Sequence, residues 1–199
     1  MTPTTFRIEH GLRPQHRAQA AAGYWAAFAR KLHYSLGPRR QAVALIRRIL
    51  DANYAISAVA DDGRFLGVAG FKTPEGAFVG GGFGDIVRIY GPVQAVWRGL
   101  LLSILERGCE PGTLLMDGIF VDEQARGLGV GTALLNAVEQ HAAACGLKAV
   151  RLDVIDSNHG ARKLYERQGY QARGTQSLDL LKPLFGFRSA TTMLKQLGR

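Results

Sequence analysis

The chain has 199 residues, 47% apolar and 21% charged, with 25 Lys or Arg against 16 Asp or Glu and a formal net charge of +9. That length and apolar share suit one domain with a sizeable core, and no run of 18 apolar residues offers a bilayer span. Met1-Thr-Pro-Thr-Thr-Phe-Arg7 lacks a basic segment followed by an apolar one, so no secretory leader is expected and a cytoplasmic location is the default.

Two cysteines, Cys109 and Cys145, cannot build a disulfide scaffold and read as small buried fillers at helix ends. Residues 1–50 hold nine Lys or Arg against one acid, Glu9. Such a surface favours an anionic partner. No nucleic-acid reader motif accompanies it, so a solvated helix face is the leading reading, help toward an anionic cofactor or substrate the second, and nucleic acid is disfavoured.

In chain order, Phe6–His10 reads as a strand. Pro14 opens a helix that carries Tyr24, Trp25, Phe28 and Leu32 at helical spacing over 15–34. Gly37-Pro38 interrupts, and a second helix runs to Leu50 with Ala42, Leu45, Ile46 and Ile49 as one stripe. Tyr54–Ala60 and Arg64–Phe71 form antiparallel strands about the turn Asp61-Asp-Gly63. Residues 73–84 are apolar yet rich in glycine, which leaves a mobile flap or a plain surface excursion as readings. Residues 89–107 form a helix with Val93, Val96, Trp97, Leu100, Leu101 and Ile104 on one side, and Glu110-Pro-Gly112 turns the chain. Thr113–Val121 is an apolar strand fit for the centre of a sheet. A helix over 129–145, a strand over 147–155, a short helix over 159–168 and a strand from Tyr170 follow, and the tail 184–193 supplies the last strand. The strand–helix–strand unit 113–155 should be parallel and right-handed. The class is mixed α/β, one domain over 1–199, with residues 73–108 as an inserted glycine-rich segment and helix.

The most informative stretch is Phe120-Val-Asp-Glu-Gln-Ala-Arg-Gly-Leu-Gly-Val-Gly-Thr132, a strand end, a polar turn and three alternate glycines opening a helix. Glycine lets the backbone come close to a ligand, and the first turn of a helix offers unpaired N–H groups, so the pattern suits a pyrophosphate. The blander reading is close strand–helix packing. A dinucleotide fingerprint fails, because Thr132 stands where its third glycine belongs and no acid lies about 20 residues beyond the first. A P-loop fails because no Gly-Lys-Ser or Gly-Lys-Thr follows.

The second constellation is Asn158-His-Gly-Ala-Arg-Lys-Leu-Tyr-Glu-Arg-Gln-Gly-Tyr170. Asn158 can cap its helix. Tyr165 is either a core aromatic or, if its strand lies beside the glycine turn, a phenol able to give a proton to a leaving thiolate.

Together these residues resemble the GCN5-related N-acetyltransferase superfamily. Arg126-Gly-Leu-Gly-Val-Gly131 looks like its coenzyme A motif, R/Q-x-x-G-x-G/A. Asn158 to Tyr170, with Ala161, Leu164, Tyr165 and Glu166 in place, resembles its closing N-x-x-A-x-x-L-Y-E-x-x-G-F signature, with Tyr170 for the phenylalanine. The firm match covers about 115–170. The resemblance implies a mixed, mostly antiparallel sheet in which parallel strands 113–121 and 147–155 splay apart around acetyl-coenzyme A. It implies that the amides of Arg126, Gly127, Leu128, Gly129, Val130, Gly131 and Thr132 hold the pyrophosphate and that the backbone at Ile119 and Val121 pairs with the pantetheine arm. Asn158 and Ala161 would lie against the cofactor and Tyr165 near its sulfur. It also implies direct attack of an acceptor amine on the thioester. No metal is implied. The alternative is a non-catalytic acyl-coenzyme A sensor or interaction module.

The acceptor, a small-molecule amine or a protein amine, must lose a proton, and a lysine-like amine has a pKa of about 10.4. Asp117 is the candidate base, costly inside an apolar strand unless paired, and a structural carboxylate held by backbone or an arginine is the leading alternative. Parity puts it on one face with Ile119 and Val121 unless a bulge intervenes. Asp122, Glu123 and Asp153 are weaker candidates. A strand near 184–193, if at the sheet edge, could pair two copies into a homodimer.

Overall fold

The computed structural model describes residues 5–177 and 186–198, without the side chains of Arg30, Lys31 and Leu105. One sheet runs through them in the spatial order β1 (Phe6–His10), β2 (Ala55–Ala60), β3 (Phe65–Thr73), β5 (Thr113–Val121), β6 (Ala149–Ile155), β8 (Ser189–Gln196), β7 (Gln171–Ser177), with the short β4 (Gly76–Ala77) folded back on β3. Every neighbouring pair is antiparallel except β5 and β6. The mixed, mostly antiparallel sheet is therefore as the sequence implies.

Helices α1 (Arg17–Leu36), α2 (Arg39–Ile49), α3 (Phe83–Tyr90) and α4 (Pro92–Leu105) lie on one side, packed around Tyr24, Trp25, Leu45, Ile46 and Phe78. Helices α5 (Val130–Ala144) and α6 (His159–Arg167) lie on the other, around Leu134, Leu135, Val138 and Tyr165. β2 is buried at all six residues, which is why it reads as a continuous apolar run rather than an alternating one. No described helix is long and apolar enough to cross a membrane.

Several expectations need correction. The helix expected over 89–107 is two helices, broken where Gly91 takes φ +80 and Pro92 begins α4. The apolar stripe of α4 faces out: Val93, Val96, Trp97, Leu100 and Ile104 are all exposed. The inward face carries Ala95 and the buried Arg98 instead. The reason is the end of α1, whose last carbonyls need donors. Arg98 Nη1 donates to the Ser35 carbonyl at 2.8 Å, and the Tyr90 hydroxyl donates to that of Leu36. The Arg98 guanidinium lies 4.1 Å over the Tyr90 ring, and its charge also suits the negative end of a helix dipole.

The glycine-rich segment is pinned rather than loose. Phe78 is buried, its N–H donates to Phe71 at 3.0 Å, and its carbonyl accepts from Asp51 at 2.9 Å. β8 is not an edge strand, since it lies between β6 and β7, so the pairing edge expected near 184–193 is covered; β7 forms the border, and residues 184 and 185 fall outside the described residues. Cys145 is exposed and Cys109 half-buried, so neither is a buried filler; Cys145 stands just past the last turn of α5, beyond its packed face.

Part of the basic N-terminal quarter has structural work. Arg17 donates to the carbonyls of Arg47 at 2.7 Å, Arg48 at 3.2 Å and Leu50, closing the end of α2. Arg7 and Arg13 both grip Glu9, at 2.7 and 2.6 Å, and hydrogen bonds from Arg13 and then Arg7 hold its carboxyl down at about 2. Arg48 pairs with Asp85 at 2.8 Å.

Candidate active site at a splayed strand pair

β5 pairs with β3 as far as Val121, and β6 pairs with β8 along its whole length. The two share a register only over Thr113–Ala149, Leu114–Val150 and Leu115–Arg151. Beyond that point they part, and a cavity of about 800 Å³ opens through the sheet between them. Its walls come from both layers: Tyr24 and Phe28 of α1 on one side, Asn158, Ala161 and Tyr165 on the other, with Leu115–Ile119 and Leu152–Ile155 between.

A β-bulge decides which way β5 points its side chains. The register steps from Gly70–Gly118 to Phe71–Met116, which inserts Asp117 as an extra residue. Met116, Ile119 and Val121 therefore pack toward α5 and α6, while Phe120 packs toward α1. Gly118 looks the same way, since a Cβ there would lie 2.4 Å from Phe28 Cζ. Asp117 also turns to the α1 side, where its Oδ2 accepts from the Val79 N–H at 3.3 Å. The shared face expected for Asp117, Ile119 and Val121 is thus overturned by the bulge. Tyr24, buried on α1, has its phenol held well above its ordinary range, first by burial and then by the Asp117 carboxylate.

The glycine turn has its own logic. Gly127 and Gly129 take φ +80 and +81, and a Cβ built on either meets nothing within 4 Å. Close packing does not explain them; backbone conformation beside open space does. Gly131 is the packing glycine, with Leu164 Cδ2 at 3.3 Å and Val121 Cγ2 at 3.7 Å from a built Cβ, so α6 touches the start of α5. Among the described residues no protein acceptor takes the N–H of Gly127, Gly129, Val130, Gly131 or Thr132; the first α5 bond runs from Ala133 to Gly129 at 3.0 Å. Val130 is buried and anchors the turn, and Leu128 is exposed. Arg126 pairs loosely with Glu123, at 3.6 Å, on the exposed surface, and two of the amides expected on the pyrophosphate are already taken, since Arg126 N–H donates to the Glu123 carbonyl at 3.3 Å and Leu128 N–H to that of Ala125 at 3.4 Å. Open space, left-handed glycines and uncommitted amides at a helix start fit an anionic diphosphate. Val121 and residues 126–132 do not line the cavity, so the turn stands apart from it.

Asn158 caps α6, its Oδ1 accepting from Ala161 N–H at 3.2 Å, and also lines the cavity. Tyr165 does two things at once, sitting in the core with its ring 6.0 Å from that of Tyr170 while lining the cavity. Burial pushes its phenol well above the usual range, so it stays protonated at neutral pH. Asp153 is already engaged: Thr192 Oγ1 donates to it at 2.6 Å, and Arg107 and Arg151 lie at 3.5 and 3.7 Å. Asp122 caps a short turn, accepting from Gln124 N–H at 3.0 Å, and Glu123 is an exposed turn residue. Tyr24, Phe28 and Leu32 stand out in the sequence only by their helical spacing; that i, i+4, i+8 face borders the cavity, a role the spacing alone does not signal.

The model for the acetyltransferase (GNAT) family matches residues 22–170. The chain belongs to this family. A GCN5-related N-acetyltransferase from Kribbella flavida shares the fold, with a TM-score of 0.60 at 18% identity over 96% of this chain and 98% of that one. So does the ribosomal-protein-S18-alanine N-acetyltransferase of Escherichia coli, with a TM-score of 0.58 at 15% identity over 98% and 96% of the two chains. The spermine/spermidine N(1)-acetyltransferase of Bacillus subtilis strain 168 is 32% identical over 94 residues, 43% of this GNAT chain and 62% of that protein's length, so the match spans less than two thirds of it.

Proposed function

We propose that this GNAT chain moves an acetyl group from acetyl-coenzyme A to a primary amine, on a small molecule or a protein, by direct attack of the amine on the thioester. The observation that carries the reading is the opening between β5 and β6, which joins Tyr165 on one side of the sheet to Asp117 on the other. The uncommitted amides of Gly127, Gly129, Val130, Gly131 and Thr132 bind the diphosphate, and the strand edge at Ile119 and Val121 together with Asn158 and Ala161 orients the arm. When bound, acetyl-coenzyme A supplies the activated acetyl group. The amine approaches from the α1 side, where the Asp117 carboxylate attracts the ammonium and takes its proton, directly or through water. The Tyr165 phenol gives a proton to the departing thiolate and regains one from solvent through the open cavity as Asp117 gives up the proton it took, so the enzyme returns to its starting state.

The test is thiol release from acetyl-coenzyme A with a panel of amines, on wild type and Tyr165→Phe. Turnover of the variant should fall by about 10²-fold, the lower end of general acid–base effects, with donor affinity near wild type. Equal turnover returns Tyr165 to a packing role. Donor binding without transfer to any amine turns the reading into a sensor or interaction module.

A further inference from the structure

The α1 side of the cavity has an uneven chemistry. Its helical walls are Phe28, Ala29 and Leu32 of α1, Ile49 of α2 and Leu102 of α4, joined by Val79, and all six are half-buried apolar residues. Among the described lining residues of α1, α2, α3 and α4 none is charged. The charged residues that line the cavity lie elsewhere, at the β3–β4 hairpin, just past α4, and on β5 and β6. Most are already matched. Lys72 pairs with Glu106 at 3.2 Å, and Asp153 with Arg107 at 3.5 Å. Glu75 is exposed at the hairpin tip. Asp117 is half-buried on the α1 side, where it lies near Tyr24 and accepts from the Val79 amide, whereas Glu75 and Glu106 are exposed.

We infer that the acceptor is a monoamine bearing an apolar group, aromatic or branched aliphatic, whose ammonium meets Asp117 while the apolar group lies among α1, α2 and α4. The inference rests on the acetyl-transfer reading above and narrows it. A pocket of this kind selects by apolar contact plus one well-placed polar group. A polyamine lying along the helical walls would leave its second ammonium beside apolar side chains, and the further carboxylates of the lining, Glu75 and Glu106, stand exposed, where pairing is worth little. The Bacillus relative is named for spermine and spermidine, so the acceptor wall is where the two proteins should differ.

The experiment compares kcat/KM for 2-phenylethylamine, isoamylamine and spermidine on the full chain with acetyl-coenzyme A. The two apolar monoamines should exceed spermidine by about tenfold or more, the scale of discrimination that apolar pocket contacts supply. Leu32→Glu should remove that preference by lowering kcat/KM for the monoamines, while the Kd for acetyl-coenzyme A, bound from the α5 and α6 side, stays at the wild-type value. Ala29→Phe, which fills the lobe, should depress phenylethylamine more than isoamylamine. Equal or better use of spermidine by wild type overturns the inference. So does transfer to none of the three while acetyl-coenzyme A still raises the melting temperature. Absence of that thermal shift brings down the acetyl-transfer reading itself.

Discussion

Two glycine-rich stretches look alike in the sequence and work in opposite ways. At Gly127 and Gly129 the backbone turns left-handed, and nothing lies where a side chain would begin. At residues 76–84 the glycines need no unusual φ; the segment is fixed by Phe78, and a Cβ on Gly81 would sit 2.9 Å from Ile49 Cγ2. Phe78 itself fits only because Gly70 opposite it has no side chain, a built Cβ there lying 2.2 Å from Phe78 Cδ1. The first stretch uses glycine for conformation beside an open space. In the second, Gly81 makes room for Ile49, and Gly70 on the facing β3 makes room for Phe78. Counting glycines cannot tell these apart; neighbours can.

Perturbations that separate the two uses run from large to small. Phe78→Ala should remove the pin of the second stretch and cost about 3–5 kcal/mol, as large-to-small changes at buried aromatics do. Denaturant melts measure the loss, and faster amide exchange at residues 76–82 should accompany it. A stability within 1 kcal/mol of wild type, by the same scale, would mean the segment is held by something else.

Gly129→Val should weaken acetyl-coenzyme A by about 10²-fold or more, because a β-branched residue both resists positive φ and intrudes on the backbone approach. Its folded state should lose only about 1–2 kcal/mol, the cost of a left-handed non-glycine residue. Calorimetric titration showing wild-type affinity would sink the main-chain recognition argument.

Gly70→Ala is the mirror experiment. It should lower stability by about 1–3 kcal/mol through overpacking against Phe78 and leave donor affinity unchanged. Loss of donor binding without loss of stability would invert the assignment.

A baseline comes from Glu9, remote from both stretches. Its folded pKa is depressed from 4.5 to about 2, so its contribution is present above pH 4.5 and fades as the pH falls toward 2. Its half-buried place at the surface, still open to screening by solvent, keeps that contribution at roughly 0.5–1 kcal/mol. Glu9→Gln should narrow the difference in stability between pH 6 and pH 2.5 by that amount; an unchanged acid limb assigns the pair no energetic role.

Much of this was legible beforehand. The central strand 113–121, the helix after Gly129 and the short helix closed by Gly169 follow from apolar period and terminal residues, and the structure places them within a residue or two. Splaying came from the resemblance, since no periodicity encodes where two parallel strands stop pairing. What escaped was decided by partners distant in sequence. The bulge at Asp117 is an extra residue relative to β3, which one strand read alone cannot reveal. Periodicity named the apolar face of α4 but not its direction, because that depended on the end of α1 needing Arg98 and Tyr90. β8 was expected at a border, yet a strand that arrives late in the chain can still be inserted between earlier ones.

The uncommitted amides after Gly127 carry one more consequence. A grip built from main chain reads only the nucleotide-bearing half of the donor, which loaded and spent carrier have in common. Free coenzyme A should therefore compete with acetyl-coenzyme A for the same hold, and output should follow the ratio of the two rather than the amount of either.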